Sequence, residues 1–205
     1  AAEGGEEDIR LRGFSLAQTG DIYVDGMRDP AFYDRDNFNL DRLEVLRGSA
    51  SMLFGRGSTG GAVNQVSKLP RLMDEGEVDV TLGSWNYKRA TVDVNKAVGE
   101  NTAVRVTGMA TKADNNGSGS SIDKNGLAAA IRTGIGEEHE FLASYYYLNN
   151  QNGLNYGLPW LTTGPAPEDR STLPSLKATA NFGMASDYNH GKAQHFTLGH
   201  VWKPD

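Results

Sequence analysis

DRLEVLRGSASMLFGRGSTGGAVNQVSK, from Asp41 to Lys68, is the stretch on which the reading of this chain turns. Leu43 and Val45, with Leu46 one step out of phase, predict a half-buried strand whose polar members are Arg42, Glu44 and Arg47. Gly48, Gly55, Gly57, Gly60 and Gly61 follow and permit reversals that a residue with a Cβ would resist. Ala62, Val63 and Val66, around Asn64 and Gln65, predict a second short strand. The run Gly55-Arg56-Gly57-Ser58-Thr59-Gly60 also satisfies G-x-G-x-x-G, the dinucleotide-binding fingerprint. That motif needs a helix after it, whose N-terminus holds the pyrophosphate. Here another glycine and the β-branched Val63 and Val66 follow, so these glycines are read as backbone punctuation.

Working outward, the composition changes at Leu69-Pro70. Before it, short strands alternate with glycine turns; after it, longer strands are separated by loops of unequal length. Pro70 lacks a backbone N–H and restricts its predecessor, which suits a linker. The predicted division is residues 1–70 and 71–205, with the boundary between about 68 and 75. Beyond it, Val78, Val80 and Leu82 oppose Glu77, Asp79 and Thr81. Ala90, Val92 and Val94 oppose Arg89, Thr91, Asp93 and Asn95, and Val104, Val106, Gly108 and Ala110 oppose Arg105, Thr107, Met109 and Thr111. Leu127, Ala129, Ile131 and Ile135 share one face, Phe141 to Leu148 is aromatic on both faces, and Gln194 to Trp202 gives a sixth, weaker segment. A soluble sheet with one face on a core also alternates in this way. Strands near ten residues and small apolar residues favour a transmembrane wall, as does the connection pattern. Short turns at Gly99-Glu100-Asn101 and Gly136-Glu137-Glu138 alternate with long polar loops at Lys112 to Asn125 and Asn149 to His190. Trp85, Tyr87, Tyr145, Tyr146, Tyr147, Trp160 and Trp202 then fall to interfacial girdles, external loops or cross-strand packing.

The opening stretch resembles the closing segment of the plug domain of TonB-dependent outer-membrane receptors: strand, Arg-Gly, small-residue turn, Phe-Gly, Gly-Gly, Asn, Lys. Leu11-Arg12-Gly13-Phe14 resembles the family's Arg-Gly-Phe segment, and Ile22-Tyr23-Val24-Asp25-Gly26 its strand ending in Asp-Gly. The three segments stand in family order over roughly residues 8 to 70. Asp29 to Tyr33 and Ser49 to Gly55 look most like the catecholate-siderophore branch.

The resemblance implies a mainly β chain: a small α+β plug portion, then the first strands of a transmembrane β-barrel of about 22 strands. It implies a bacterial outer-membrane receptor that imports ferric siderophore, with outer-membrane lipid around it. TonB would act through an N-terminal segment outside this chain, as would a signal peptide, since Ala1 to Asp8 has no signal character. The same architecture importing haem, cobalamin or oligosaccharide, and a β-rich surface binding module that does not transport, are the alternatives. The implied ligand site is the plug apex, with Gln18 and Thr19 in one loop and Arg28, Phe32, Tyr33 and Arg35 in the next. Arginines at the places of Arg12 and Arg47 would pair with carboxylates of the barrel wall and lock the plug, with Glu44 orienting Arg47.

The remaining chemistry is sparse. The chain has 205 residues, a net charge of −6 and no basic cluster, which speaks against nucleic acid. No cysteine is present and no apolar run approaches the ~18 residues of a membrane-spanning helix. Of the histidines, His139 and His190 fall in a turn and a loop, while His195 and His200 lie on opposite faces of one strand, a poor geometry for one metal. Asp34, Asp36, Asp41 and Glu44 offer oxygen ligands without EF-hand spacing, and no Gly-x-Ser-x-Gly elbow exists. The expectation is no enzyme, no metal site and no resident cofactor, with an Fe(III)-siderophore as ligand.

Overall fold

The computed structural model describes residues 9–30, 33–47, 60–114, 120–154, 161–162, 171–172, 175–177, 180, 182–184 and 186–204. Phe32, Trp160 and the glycine-rich segment 48–59, expected as a turn, lie outside the described residues.

The N-terminal part builds a small sheet around one glycine-bounded helix. Strands β1 (Arg10–Leu11) and β2 (Phe14–Ser15) form a hairpin closed by Arg12 and Gly13, both at positive φ (53° and 84°). The helix α1 (Leu16–Thr19) is capped by the Ser15 hydroxyl, which accepts from the Gln18 N–H at 3.4 Å, and ends at Gly20 in the left-handed region. Gln18 and Thr19, expected in a loop, therefore ride on a capped helical turn. Strands β3 (Ile22–Val24), β4 (Met27–Arg28), β5 (Leu40–Arg47) and β6 (Gly61–Ser67) assemble in the order β4-β3-β6-β5, with β3 parallel to β6. Asp25 and Gly26, at φ 50° and 79°, make the two-residue β3–β4 turn. Leu16, Ala17, Ile22 and Val63 form the core, with Ile9 and Leu11 packed against it.

The opening stretch forms the two predicted strands, but burial in the first is displaced. Leu43 and Val45 are exposed, while Glu44 and Leu46 are half-buried. The reason is position: β5 is the edge of this sheet, and the inner strand β6 carries the buried residues Gly61 to Asn64. Gly61 sits at φ 128°, and a Cβ there would collide with the Leu46 carbonyl, so β5 and β6 approach only because this residue is glycine.

After residue 74 the chain becomes an antiparallel meander of long strands: β7 (Glu75–Gly83), β8 (Tyr87–Ala97), β9 (Thr102–Ala113), β10 (Ile122–Thr133) and β11 (His139–Gly153). The ribbon of β12 (Leu161–Thr162) and β13 (Ser171–Thr172) lies in the following connection, and β14 (Tyr188–Trp202) returns beside β11. The sheet order is β14-β11-β10-β9-β8-β7. The six alternating segments are its six strands. Two of the expected loops are shorter than predicted, because Asn149 to Gly153 pairs with Tyr188 to Lys192, and Ile122 to Asn125 pairs with Ala110 to Ala113. A ladder is made by backbone groups and is indifferent to these polar side chains.

The register puts Val78 opposite Val92 and Val94 opposite Val106, all exposed, with Val104 on the same face. Phe196 and Leu198 continue that outward face at about 70% exposure. Asp93, Asn95, Thr107, Thr111 and Glu140 are buried on the opposite face, where Asp93, Asn95 and Thr107 meet Lys68, Arg71 and Asn39. The aromatics divide: Tyr145 and Trp202 are exposed, Trp85 stands exposed at the β7–β8 turn, and Tyr146 turns inward.

Candidate functional site

Between β4 and β5 the chain runs as a strap along the inner face of the wall. Its first anchor is Asp29, with 2% of its side chain exposed. Asp29 Oδ2 accepts from the Tyr33 hydroxyl at 2.8 Å and from Arg35 Nε and Nη2 at 2.9 and 2.8 Å. The Arg35 guanidinium, 6% exposed, also lies 4.3 Å over the Tyr33 ring and donates to the Pro30 carbonyl at 2.6 Å. Burial first, and then the charge of Asp29, push the Tyr33 phenol well above its ordinary range, so it remains a donor. The other oxygen, Asp29 Oδ1, lies 3.5 Å from His195 Nε2 on β14. That contact becomes an ion pair when the imidazole is protonated.

The next anchors are acids of the strap held by bases of the wall. Asp34 meets Lys124 at 2.5 Å and accepts from Asn152 at 3.1 Å, while its carbonyl accepts from Asn150 at 2.6 Å. Asp36 receives Arg89 in a two-pronged contact at 2.7 and 3.0 Å. Phe38 is buried with Met109, Ala128 and Leu148, and its ring stacks on Tyr146 at 5.4 Å. It fits because β10 offers Gly126 beneath it: a Cβ there would lie 2.6 Å from the ring. Asn39 accepts from Thr107 at 3.0 Å.

The crossing into the wall is tied in the same way. Lys68 and Arg105 share Asp93 at 2.7 and 2.8 Å, and Arg105 and Arg132 donate to the Leu69 and Pro70 carbonyls. Asn95 closes on the Arg71 and Met73 carbonyls at 2.8 and 2.5 Å. A cavity of about 350 Å³ opens between the two parts, with Arg28 and Lys68 on one side and Ser144, His195 and Thr197 on the wall. That volume is within the range of small-molecule sites, and its donors suit an oxygen-rich, anionic guest.

Of the residues singled out in the sequence, Arg28, Tyr33 and Arg35 line this cavity. Gln18 and Thr19 are not among its lining residues; they sit on α1, where Thr19 Oγ1 donates to the Ser15 carbonyl at 3.3 Å. Arg12 stands exposed at a hairpin tip and Arg47 exposed at the end of β5, and neither is in an ion pair among the described residues. Glu44 engages Arg42 at 2.8 Å and accepts from the Asn64 amide at 2.9 Å, so among the described residues its partners are these two and not Arg47. No group of three or more His, Cys, Asp or Glu able to hold a metal occurs among the described residues. Asp29 and Asp36 were expected in the apex loop, whereas the roles of Arg89, Phe38 and Gly126 were missed. The available signal was the charge on the wall's inward face, where Arg89, Asp93 and Arg105 each require a partner.

Residues 1–62 match the TonB-dependent Receptor Plug Domain. The probable TonB-dependent receptor BfrD of Bordetella pertussis is 33% identical over 165 residues, covering 78% of this chain and 22% of BfrD. The catecholate siderophore receptor Fiu of Escherichia coli K12 is 31% identical over 197 residues, covering 93% of this chain and 26% of Fiu. The open form of the ferric-catecholate import receptor Fiu superposes with a TM-score of 0.83 at 25% identity, covering 95% of this chain and 31% of that one. The ferripyoverdine receptor of Pseudomonas aeruginosa shares the fold at 18% identity, with a TM-score of 0.81 over 97% of this chain and 27% of its own. The chain thus spans about a quarter of the length of the curated relatives it matches. With the small mixed sheet in the plug's place and the meander in the wall's, the chain belongs to the family of TonB-dependent receptors.

Proposed function

We propose that the protein serves in a bacterial outer-membrane receptor that binds a ferric siderophore of the catecholate class and moves it inward with energy delivered through TonB. The observation that carries this reading is the 31% identity to Fiu over 197 residues, which spans both the small sheet and the wall. In this reading residues 1–70 are plug and 71–205 are wall, and the end with the longer connections faces outward. The iron is cargo, no resident cofactor is required, and no catalytic step is assigned.

The ligand site is the plug apex, from Gln18, Thr19, Arg28, Phe32, Tyr33 and Arg35. Within it the roles divide: Arg28 borders the cavity, while Tyr33 and Arg35 are committed to Asp29 and shape its floor. Arg12 and Arg47 remain the proposed lock toward wall carboxylates, joined by the opposite set of pairs in which wall bases hold Asp34 and Asp36. Charge-assisted bonds suit such a seam, since they hold geometry and yet exchange with water under load.

The test is radio-iron uptake by a strain lacking its own siderophore receptors and carrying the whole receptor. Uptake from a ferric catecholate, abolished when TonB is deleted, is the expected result. Uptake of haem or cobalamin with ferric catecholates ignored would overturn the substrate class.

A further inference from the structure

The wall holds the crossing segment and the strap by different atoms. Along Leu69 to Met73 it grips the backbone. Arg105 donates to the Leu69 carbonyl at 3.2 Å and Arg132 to the Pro70 carbonyl at 3.3 Å. Asn95, 2% exposed, pairs with Arg71 much as a neighbouring strand would. Its Oδ1 accepts from the Arg71 N–H at 2.9 Å, and its Nδ2 donates to the Arg71 carbonyl at 2.8 Å. The same Nδ2 reaches the Met73 carbonyl at 2.5 Å.

The gripping groups are themselves fixed within the wall. Arg105 holds Asp93 by two bonds of 2.8 Å, and Arg132 Nε donates to Glu140 at 2.6 Å. Pro70 is buried, and its ring restricts the backbone at its own position and the one before. Lifting this segment away therefore strands buried donors of the wall as well as the segment's own carbonyls. The strap is held otherwise. Among the described residues the wall reaches one strap carbonyl, that of Asp34, through Asn150. Its other polar ties to the strap run from side chain to side chain, at Asp29, Asp34, Asp36, Asn37 and Asn39. Such ties turn about rotatable bonds on both sides, and bridging waters can take their place.

We propose that Leu69 to Met73 is the fixed pivot of the plug, with Asn95 as its positioning residue: the wall keeps this segment while the strap and the small sheet are drawn away from it. The proposal rests on the plug-and-wall reading and is independent of which ligand is carried. A pivot at this place keeps the plug in register with the wall, so that the strap returns to the same anchors.

The test uses the whole receptor in a cysteine-free background, with two cysteine pairs bridged by a short bis-thiosulfonate that reductant cleaves. The bridge in Arg71→Cys/Asn95→Cys ties the pivot to the wall and should leave iron uptake intact. The bridge in Phe38→Cys/Gly126→Cys ties the strap to the wall and should abolish uptake until reductant restores it. Uptake blocked by the pivot bridge, or untouched by the strap bridge, would overturn the proposal. A receptor that takes up no ferric siderophore before any bridging refutes the larger reading instead, and pulling single receptors by the N-terminal end of the plug then reads the pivot without transport. In wild type the extension should stop at Lys68 before the wall yields. In Asn95→Ala that step should lengthen by about 20 Å, the reach of six more residues, with thermal unfolding of the wall unchanged. Equal lengths in the two proteins would overturn the pivot.

Discussion

The plug sheet and the wall use the same alternation with opposite sign. In the plug sheet, Leu16, Ile22 and Val63 are buried together, as in a soluble domain. In the wall, Val78, Val80, Leu82, Phe196 and Leu198 face outward, while Asp93, Asn95, Thr107 and Glu140 are buried. Neither region offers the other a large apolar face, so what joins them is mostly polar, with Phe38 as an apolar peg. The seam has a direction, since its strap supplies Asp29, Asp34 and Asp36 and the wall supplies His195, Lys124 and Arg89. Apolar burial persists through small displacements, whereas a charge-assisted contact depends on geometry and on the exclusion of water. A plug held in this way is specific in position.

The largest effect expected to break this picture is at Asp29. Asp29→Ala removes the carboxylate that pairs with the buried Arg35 guanidinium and accepts from the Tyr33 hydroxyl, and should cost about 3–5 kcal/mol. Thermal unfolding of the whole receptor and protease cleavage within the strap would read it. A variant as stable as wild type, with the strap equally protected, would mean that the seam does not depend on its charges. Next comes the sign of the wall. Val92→Lys puts a charge on the outward face and should cost about 2–4 kcal/mol near the bilayer midplane, falling toward its edges. Thr91→Lys, one position away, points among Asp79, Asp93 and Glu77 and should change stability by much less. Equal tolerance of the two in refolding titrations would make the wall an ordinary sheet with no lipid face.

Gly126 tests the one place where the seam is apolar. Gly126→Ala drives a methyl into the Phe38 ring and should cost about 1–3 kcal/mol. Shrinking the peg should restore much of this: in a double-mutant cycle Phe38→Leu and Gly126→Ala should be strongly non-additive. Additive losses would show that the ring and the glycine are not partners.

This pair also marks the limit of what the sequence discloses. The wall strands were legible because lipid exposure imposes period two on Val78, Val80, Val92 and Val94, a property local to each strand. The hairpin turn at Asp25-Gly26 was legible for a similar reason, as two adjacent residues carry its backbone requirement. Gly126 and Phe38 meet across most of a sheet, and nothing near either residue announces the other. Asp29 likewise looks like a turn acid until Tyr33, Arg35 and His195 are placed around it. The burial expected of Leu43 and Val45 failed for a related cause: alternation reports the period of β5, but only the strand order shows that β5 is an edge. The family resemblance supplied the apex and the arginine positions, and it gave no warning of the reversed pairs along the strap.

The smallest expected effect concerns a polar clamp inside the plug sheet. The Gly26 N–H donates to Asn64 Oδ1 at 2.9 Å, and the Asn64 amide donates to Glu44 Oε2 at 2.9 Å. The hydrogen bond from Asn64, then that from Arg42, holds the Glu44 carboxyl below its usual range. A lowered folded value means that the stabilisation is present above the ordinary carboxylate range and is lost as pH falls through the lowered value. Protonated Glu44 no longer fixes the Asn64 amide as strongly, so the Asp25-Gly26 turn should open more often in acid. Hydrogen exchange at the Gly26 amide, corrected for its intrinsic pH dependence, should accelerate at low pH in wild type. In Glu44→Gln it should already be fast near neutrality and change little on acidification. The effect should be confined to this turn, because Glu44 is solvent-accessible and the wall does not depend on it. If Gly26 exchanged identically in the two proteins across the titration, the clamp would be a static contact without influence on the turn.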